Sequence, residues 1–499
     1  MRIFDIKIKK FLKSGKFIFI SILVLGFFLR IYKLEELFLY GHDQDLASWF
    51  VKDVVINKHL RLIGQETSTQ GIFIGPIYYY FLIPFYLVFD MDPIAGTVAI
   101  TTLGLFSIFS FYYVFKKIFG EREGLIASFL FATSFYTVFN DREVVPTMPV
   151  IVWTCWYFYG LNQLLKNRQK EGFIILGVLL GLIWHINMAL ILLVPLIPIV
   201  SYLSGKRVSL KELSKGLLFI FIFSLPLIVF ESRHNFVQTK SLFLSLTTDQ
   251  YDIISGYEKF RQVIHLLSKD ASGFIWGSFE IVSYETTFYL LILLFVILFV
   301  KGLIAIRHAT LLSLWLIFYI GFFSLYSKIL SEYYLNGTIF IWILLLTIGL
   351  SYFFTKKKYK SLTIASLVFF GFFNFNKFFS LNINKSGYLY RKAVVTEIKR
   401  DFQTRSFPCV AVSYITNPGY DLGYRYLFFL QEMHVNRPES GSPVYTIVFP
   451  LKEIFPVDKT FGAIGLIYPD YTRYTKENVE YSCSGENSNL TDPMFGFTN

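Results

Sequence analysis

Charge is scarce in this sequence. Only 16% of its 499 residues are Asp, Glu, Lys or Arg, against roughly a quarter in a soluble domain, which argues against an ordinary soluble protein of this length. Acids are scarcer than bases, 35 against 47. The three cysteines show no Cys/His spacing of a zinc site. No Walker loop and no Rossmann glycine pattern follows a strand, so no site for a soluble nucleotide-activated donor is visible. No Gly-x-Ser-x-Gly elbow marks a serine hydrolase. Internal repeats and low-complexity segments are also missing.

What is abundant is apolar and aromatic. Hydrophobic residues make up 54% of the chain, and 57 Phe and 33 Tyr are present, a composition suited to helices in lipid with rings at the interfaces. The net charge of +12 raises the question of nucleic acid. The lysines, however, cluster in short segments between apolar runs, as in cytoplasmic loops, so no nucleic-acid partner is expected.

Those clusters orient the chain. The first segment carries Arg2, Lys7, Lys9, Lys10, Lys13 and Lys16 against Asp5 and is expected in the cytoplasm. It is not read as a cleavable signal, because no small-residue cleavage site follows. Further basic loops lie at Lys116–Arg122, Lys166–Lys170, Lys206–Lys215, Lys301–Arg307 and Lys356–Lys360. If all are cytoplasmic, even numbers of spans separate them. Three apolar runs, 17–34, 72–89 and 94–115, precede Lys116, one too many. The middle run contains Pro76, Pro84 and three tyrosines, Tyr78, Tyr79 and Tyr80. Proline interrupts a helix and tyrosine favours headgroup level, so 72–89 reads as a re-entrant or interfacial helix; an ordinary span is the alternative. Remaining spans are expected near 94–115, 123–139, 147–165, 173–188, 190–204, 216–230, 283–300, 309–327, 335–354 and 361–379, about eleven with the first. The exterior face then receives the loop 35–93, the turn 140–146, the end near His185, the loop 231–282 and the tail.

The tail, 381–499, reads as a separate extracytoplasmic α/β domain beside a membrane domain over 1–380. Short β-type runs, Cys409–Ile415, Val444–Phe449 and Ala463–Tyr468, are punctuated by Pro408, Pro418, Pro443 and Pro469. A helix is expected between Asp421 and Met433. Cys409 and Cys483 either form a disulfide, which an exterior location permits, or are unrelated thiols. Cys155 lies in a span and reads as packing.

Every candidate site residue falls on the exterior face. Gly41-His42-Asp43-Gln44-Asp45 stands where the chain leaves the first span. Ionisable groups there face water or a partner and point to function in preference to the alternative, that Asp43 and Asp45 simply mark a hydrated helix end. A carboxylate here can act as general base toward an acceptor hydroxyl, and two neighbouring acids can separate in pKa. The turn Asn140-Asp141-Arg142-Glu143 is a second charged cluster. Arg142 suits a phosphate, with Asp141 or Glu143 orienting it or the acceptor, or else it pairs locally. Arg233 and His234 can meet an anionic headgroup or simply end a helix.

In the order of its elements the chain resembles the GT-C glycosyltransferases. The likeness rests on a first span, an exterior loop opening with Asp43, and the interfacial Gly75-Pro76-Ile77-Tyr78-Tyr79-Tyr80. It continues through Ser68–Tyr80, Lys116–Gly120 and Arg142–Pro149, covering about the first 235 residues. The branch holding protein O-mannosyltransferases and the lipid A aminoarabinose transferase is the one it resembles. Asp43 matches the first acid of that branch's acid pair. Gln44 stands where Glu is usual, which leaves the partner acid open, with Asp45 a candidate. Gly75 stands where that branch has an acid.

The resemblance implies a GT-C membrane protein that moves a sugar, with inversion, from a polyprenyl-phosphate donor to an extracytoplasmic lipid, protein or glycan acceptor. It places Asp43 as base, with Asp45 and Glu143 as further catalytic acids. His42, Tyr78, Tyr79, Asp141, Arg142, Arg233 and His234 would lie on the donor side. Some relatives use a divalent cation and others do not, and the residues permit either; no metal ligands are assigned. A plasma-membrane location is expected over the endoplasmic reticulum. The competing classes are a transporter or flippase for a lipid-linked or anionic substrate, and a receptor whose tail binds partners. Carriers usually place charges near mid-span and show repeated halves, whereas these acids gather at one face.

Overall fold

The computed structural model of the chain describes residues 15–67, 69–247, 254–277, 282–417, 419–451 and 454–489. The basic residues Arg2 to Lys13, Ser68 and Pro418 lie outside the described residues. Helices follow in chain order: α1 Gly15–Ile31, α2 His42–Val55, α3 Ile77–Val88, α4 Ile94–Ile118, α5 Glu121–Thr133, α6 Phe135–Asn140, α7 Val150–Leu165, α8 Gln169–Ile186, α9 Leu196–Leu203 and α10 Leu210–Arg233. They continue as α11 Val237–Thr247, α12 Gly256–Trp276, α13 Tyr284–Val300, α14 Ile306–Leu325, α15 Ile339–Thr355, α16 Lys360–Phe379, α17 Tyr388–Thr404, α18 Arg425–Leu430 and α19 Lys476–Ser482. A helical unit comprises residues 1–32, 101–142 and 146–381, and an α/β unit comprises 33–100, 143–145 and 382–499. The division near 381 falls where the sequence changes character. The segment after the first span, expected with the spans, groups instead with the tail.

A helix coincides with each of the eleven expected spans. Six are long and apolar enough to cross a bilayer by length and composition. Helix α3 has 12 residues, about 18 Å, against a hydrocarbon core of roughly 30 Å. By the same measure α5, with 13 residues, and α9, with eight, are also shorter than a crossing, so length does not set 72–89 apart from those expected spans.

The helical unit is packed by aromatic rings around α15, whose apolar window is 72% buried, while α10, at 17%, leaves most of its apolar surface uncovered. Trp315 stacks on Phe340 at 5.8 Å, and Trp153 on Tyr157 at 4.8 Å. Helices α8 and α10 touch through small residues, as membrane helices do where packing alone drives association. A Cβ on Gly177 would stand 2.3 Å from the Gly216 carbonyl oxygen. Between α5 and α6 the chain breaks at Ser134, and neighbouring helices satisfy the freed groups, as a low-dielectric interior demands. The Phe135 N–H donates to Asn374 Oδ1 at 2.7 Å, and Asn374 donates back to the Ile275 carbonyl at 3.0 Å. Helix α12 was not expected from the sequence, because its polar, charged side masks its apolar one.

In the α/β unit five strands, β1 Val410–Thr416, β2 Val435–Asn436, β3 Val444–Phe449, β4 Lys459–Phe461 and β5 Ile464–Ile467, form a sheet of order β2-β1-β3-β5-β4. The pairs β1–β2 and β1–β3 are parallel; β3–β5 and β4–β5 are antiparallel. Helix α18 lies in the stretch expected to be helical, whereas α17, β2 and β4 are additions. The segment after the first span is fastened to α17 by Asp92, which meets Lys392 Nζ at 2.7 Å and accepts from the Tyr388 hydroxyl at 2.5 Å.

Cys409 and Cys483 are disulfide-bonded, with Cα atoms 5.6 Å apart and 74 residues between them. The bond joins the start of β1 to the end of α19. Closing a loop of that length stabilises a folded unit by about 4 kcal/mol in the chain-entropy picture. Replacing both cysteines by serine is expected to make the α/β unit more susceptible to limited proteolysis at elevated temperature, while cleavage within the helical unit stays unchanged.

Candidate active site

The site is built on the first turn of α2. The Gly41 N–H donates to Gln44 Oε1 at 2.9 Å, so the side chain three residues into the helix closes its start. The Gln44 amide also donates to the Val144 carbonyl at 3.5 Å, a contact that a carboxylate could not make.

Asp43 and Asp45 are two residues apart, and so about 200° apart around the helix. They therefore face opposite ways. Asp45 is buried, 1% exposed. It accepts from the Tyr40 hydroxyl at 3.0 Å, the Trp49 indole N–H at 3.1 Å and the Tyr426 backbone N–H at 3.1 Å. Asp43 is exposed. Its Oδ1 accepts from the Gln65 amide at 3.0 Å, and Gln65 Oε1 in turn accepts from the Tyr79 hydroxyl at 2.9 Å. Tyr79 is fully buried and stacks on Phe50 at 4.8 Å. The arrangement fixes one carboxylate in an accessible position through a neutral amide that leaves its charge intact. Gln65 carries no signal in the sequence; its place depends on a loop whose Gly64 N–H bonds the Ile74 carbonyl at 2.6 Å.

Glu143 belongs to the same unit as Asp43. It is half-buried, and burial first, then the Asp43 charge, push its pKa up to about 7. Near neutral pH it can therefore hold or accept a proton. His42 is half-buried on the same helical turn. Tyr78 is buried, and its hydroxyl has no hydrogen-bond partner among the described residues.

The remaining expected residues are in the helical unit. Asp141, 1% exposed, accepts from Arg30 Nε at 2.9 Å and Nη2 at 2.6 Å, both on its Oδ2, a charge-assisted pair at the end of α1. A Cβ on Gly104 would lie 2.7 Å from Asp141 Oδ2 and 2.8 Å from Arg30 Nε, so only glycine leaves room for the pair. Arg142 donates to the carbonyls of Leu29 at 3.1 Å and Tyr32 at 2.8 Å, capping the last turn of α1 as a cation does at a helix C-terminus. Both charges of the Asp141–Arg142 pair thus serve the exit of the first helix. Arg30 was overlooked within the expected span 17–34, although an ionisable residue inside an apolar run is itself a signal. Arg233 is exposed at the end of α10. His234 stacks on Phe230 at 4.2 Å, with Nδ1 2.8 Å from that residue's carbonyl oxygen.

A divalent ion shared by Asp43 and Asp45 does not fit this geometry, because Asp45 faces three donors and points away from Asp43. Among the described residues no group of three or more His, Cys, Asp or Glu is placed to hold a metal.

The chain is a polytopic helical protein with several apolar, membrane-type helices and a pair of acids at the start of α2. Its architecture is similar to that of ArnT from Cupriavidus metallidurans. For the crystal structure bound to undecaprenyl phosphate, the TM-score is 0.59 at 13% identity, over 92% of this chain and 98% of that one. For the apo state it is 0.60 at 12% identity with the same coverage. Residues 74–230 match the family model described as dolichyl-phosphate-mannose-protein mannosyltransferase. Among curated proteins, none matches the sequence. The likeness to these structures is one of fold, and the family match covers about a third of the chain.

Two outcomes test the site's energetics. Arg30→Met leaves Asp141 buried without its partner and is expected to lower stability by about 3 kcal/mol or more, read as an early thermal transition in detergent; Arg30→Met with Asp141→Leu should recover part of it. Glu143, with its folded pKa raised to about 7 from an unfolded value near 4.3, destabilises the fold as pH rises through that interval. Glu143→Gln is therefore expected to melt several degrees above wild type at pH 8 and together with it below pH 4.

Proposed function

We propose that the chain transfers a sugar from a polyprenyl-phosphate donor to a hydroxyl-bearing acceptor on the extracytoplasmic side of the plasma membrane. The observation that carries this reading is the accessible Asp43 carboxylate, held at 3.0 Å by an amide that a buried tyrosine fixes. The fold shared with a structure that contains undecaprenyl phosphate supports the donor class.

In this reading Asp43 takes the proton of the acceptor hydroxyl as its oxygen attacks the anomeric carbon. The bond from that carbon to the phosphate oxygen breaks, polyprenyl phosphate leaves with the electron pair, and the configuration inverts. Gln65 and Tyr79 orient Asp43. Glu143, protonated at lower pH, donates a hydrogen bond to the acceptor or the sugar. Asp45 holds the helix rather than the substrate. Arg142 and Asp141 are committed to α1, which leaves Arg233 and His234, together with His42 and Tyr78, as the donor-side candidates. The N-terminus is cytoplasmic, about eleven spans follow, and the tail contributes to acceptor choice.

The test is transfer by purified protein in lipid, offered a panel of polyprenyl-phosphate sugars. Asp43→Asn is expected to lose at least about a hundredfold in turnover while folding normally; Gln65→Ala is expected to lose about tenfold. Unchanged turnover in Asp43→Asn would remove Asp43 from the chemistry. Movement of a donor across the bilayer with no covalent product would favour the carrier class instead.

A further inference from the structure

The helical unit contains a cleft lined by none of the candidate site residues, between two of the basic segments. It lies between the turn that starts α8 and the turn that starts α10, has a volume of about 580 Å³, and is lined by Arg168, Lys170, Lys206 and Arg207 together with Glu171 and Glu212. Glu212 is neutralised by Lys215 at 2.8 Å, and Glu171 lies 3.9 Å from Arg168. Among the described residues no acid pairs with Lys170, Lys206 or Arg207. Three cations therefore share one concavity without a counter-ion.

The two walls are held at a set spacing. Gln169 donates to the Arg207 carbonyl at 2.8 Å and accepts from the Ser209 N–H at 2.7 Å. Helix α8 begins at Gln169 and α10 at Leu210, so both positive helix ends border the cleft and add to its attraction for an anion. Directly beside it the surface is apolar and uncovered: Tyr202 is 85% exposed and Leu210 80%, and Leu217, Leu218 and Phe221 each exceed half. A cationic cleft beside exposed apolar helix surface matches a molecule with an anionic head and acyl tails. A free phosphate has no use for the apolar side.

We infer that this cleft binds the phosphate-bearing headgroup of an anionic membrane phospholipid, whose acyl chains lie along α10. The experiment uses the full chain in nanodiscs of phosphatidylcholine with or without phosphatidylglycerol, with retained lipid counted by native mass spectrometry. Wild type is expected to retain phosphatidylglycerol at least about tenfold in preference, and Lys206→Glu with Arg207→Glu to reduce this to near parity. Reversal of Lys356 and Lys357, in another basic segment, should leave the preference intact. The proposal is overturned by any of three results: no preference in wild type, an equal drop in the Lys356/Lys357 control, or displacement of the lipid by inorganic phosphate. If the double reversal fails to fold, Lys170→Gln with Lys206→Gln serves in its place, and an undiminished preference there also overturns it.

Discussion

The α/β unit depends on one buried carboxylate. Asp45 takes a hydroxyl, an indole N–H and a backbone N–H, and the last of these comes from Tyr426, 381 residues further along the chain. A buried charge without such donors is strongly unfavourable. The segment after the first helix and the tail are thus compelled to fold as one body, and α2 is held by its far face. The near face, which carries Asp43, is left to water and to the Gln65 amide. The geometry of the site is therefore a consequence of where Asp45 is satisfied.

A parallel logic holds in the helical unit. Arg30, Asp141 and Arg142 are all consumed at the end of α1, and Gly104 keeps the space they need. Charges of this kind look functional in a sequence because apolar surroundings make them conspicuous. Here they settle the backbone groups of a helix end and the cost of their own burial.

The apolar helices were legible because long apolar runs are local signals, and so was the brevity of α3, from Pro76, Pro84 and three tyrosines. Strands β1, β3 and β5 were legible from β-branched runs between prolines; β2, with two residues, and β4, with three, are too short to carry a pattern. The separate settings of Asp43 and Asp45 were not legible, since the helix phase puts them on opposite sides and the donor that selects Asp45 lies at Tyr426. Gln65 was invisible for a similar reason: a loop places it, and amides in loops are common. The pairing of Cys409 with Cys483 needed a distance that no spacing supplies.

The α/β unit is assembled from pieces of chain that are synthesised far apart. Asp45 leaves the ribosome hundreds of residues before Tyr426, and most of the intervening chain belongs to the other unit. Until the tail emerges, α2 has a carboxylate and an indole with no final setting, and Cys409 waits for Cys483. Non-local contacts of this order form late. Asp45 therefore gains its full set of donors only once Tyr426 has been made, so a product truncated before that residue carries Asp45 without its final setting.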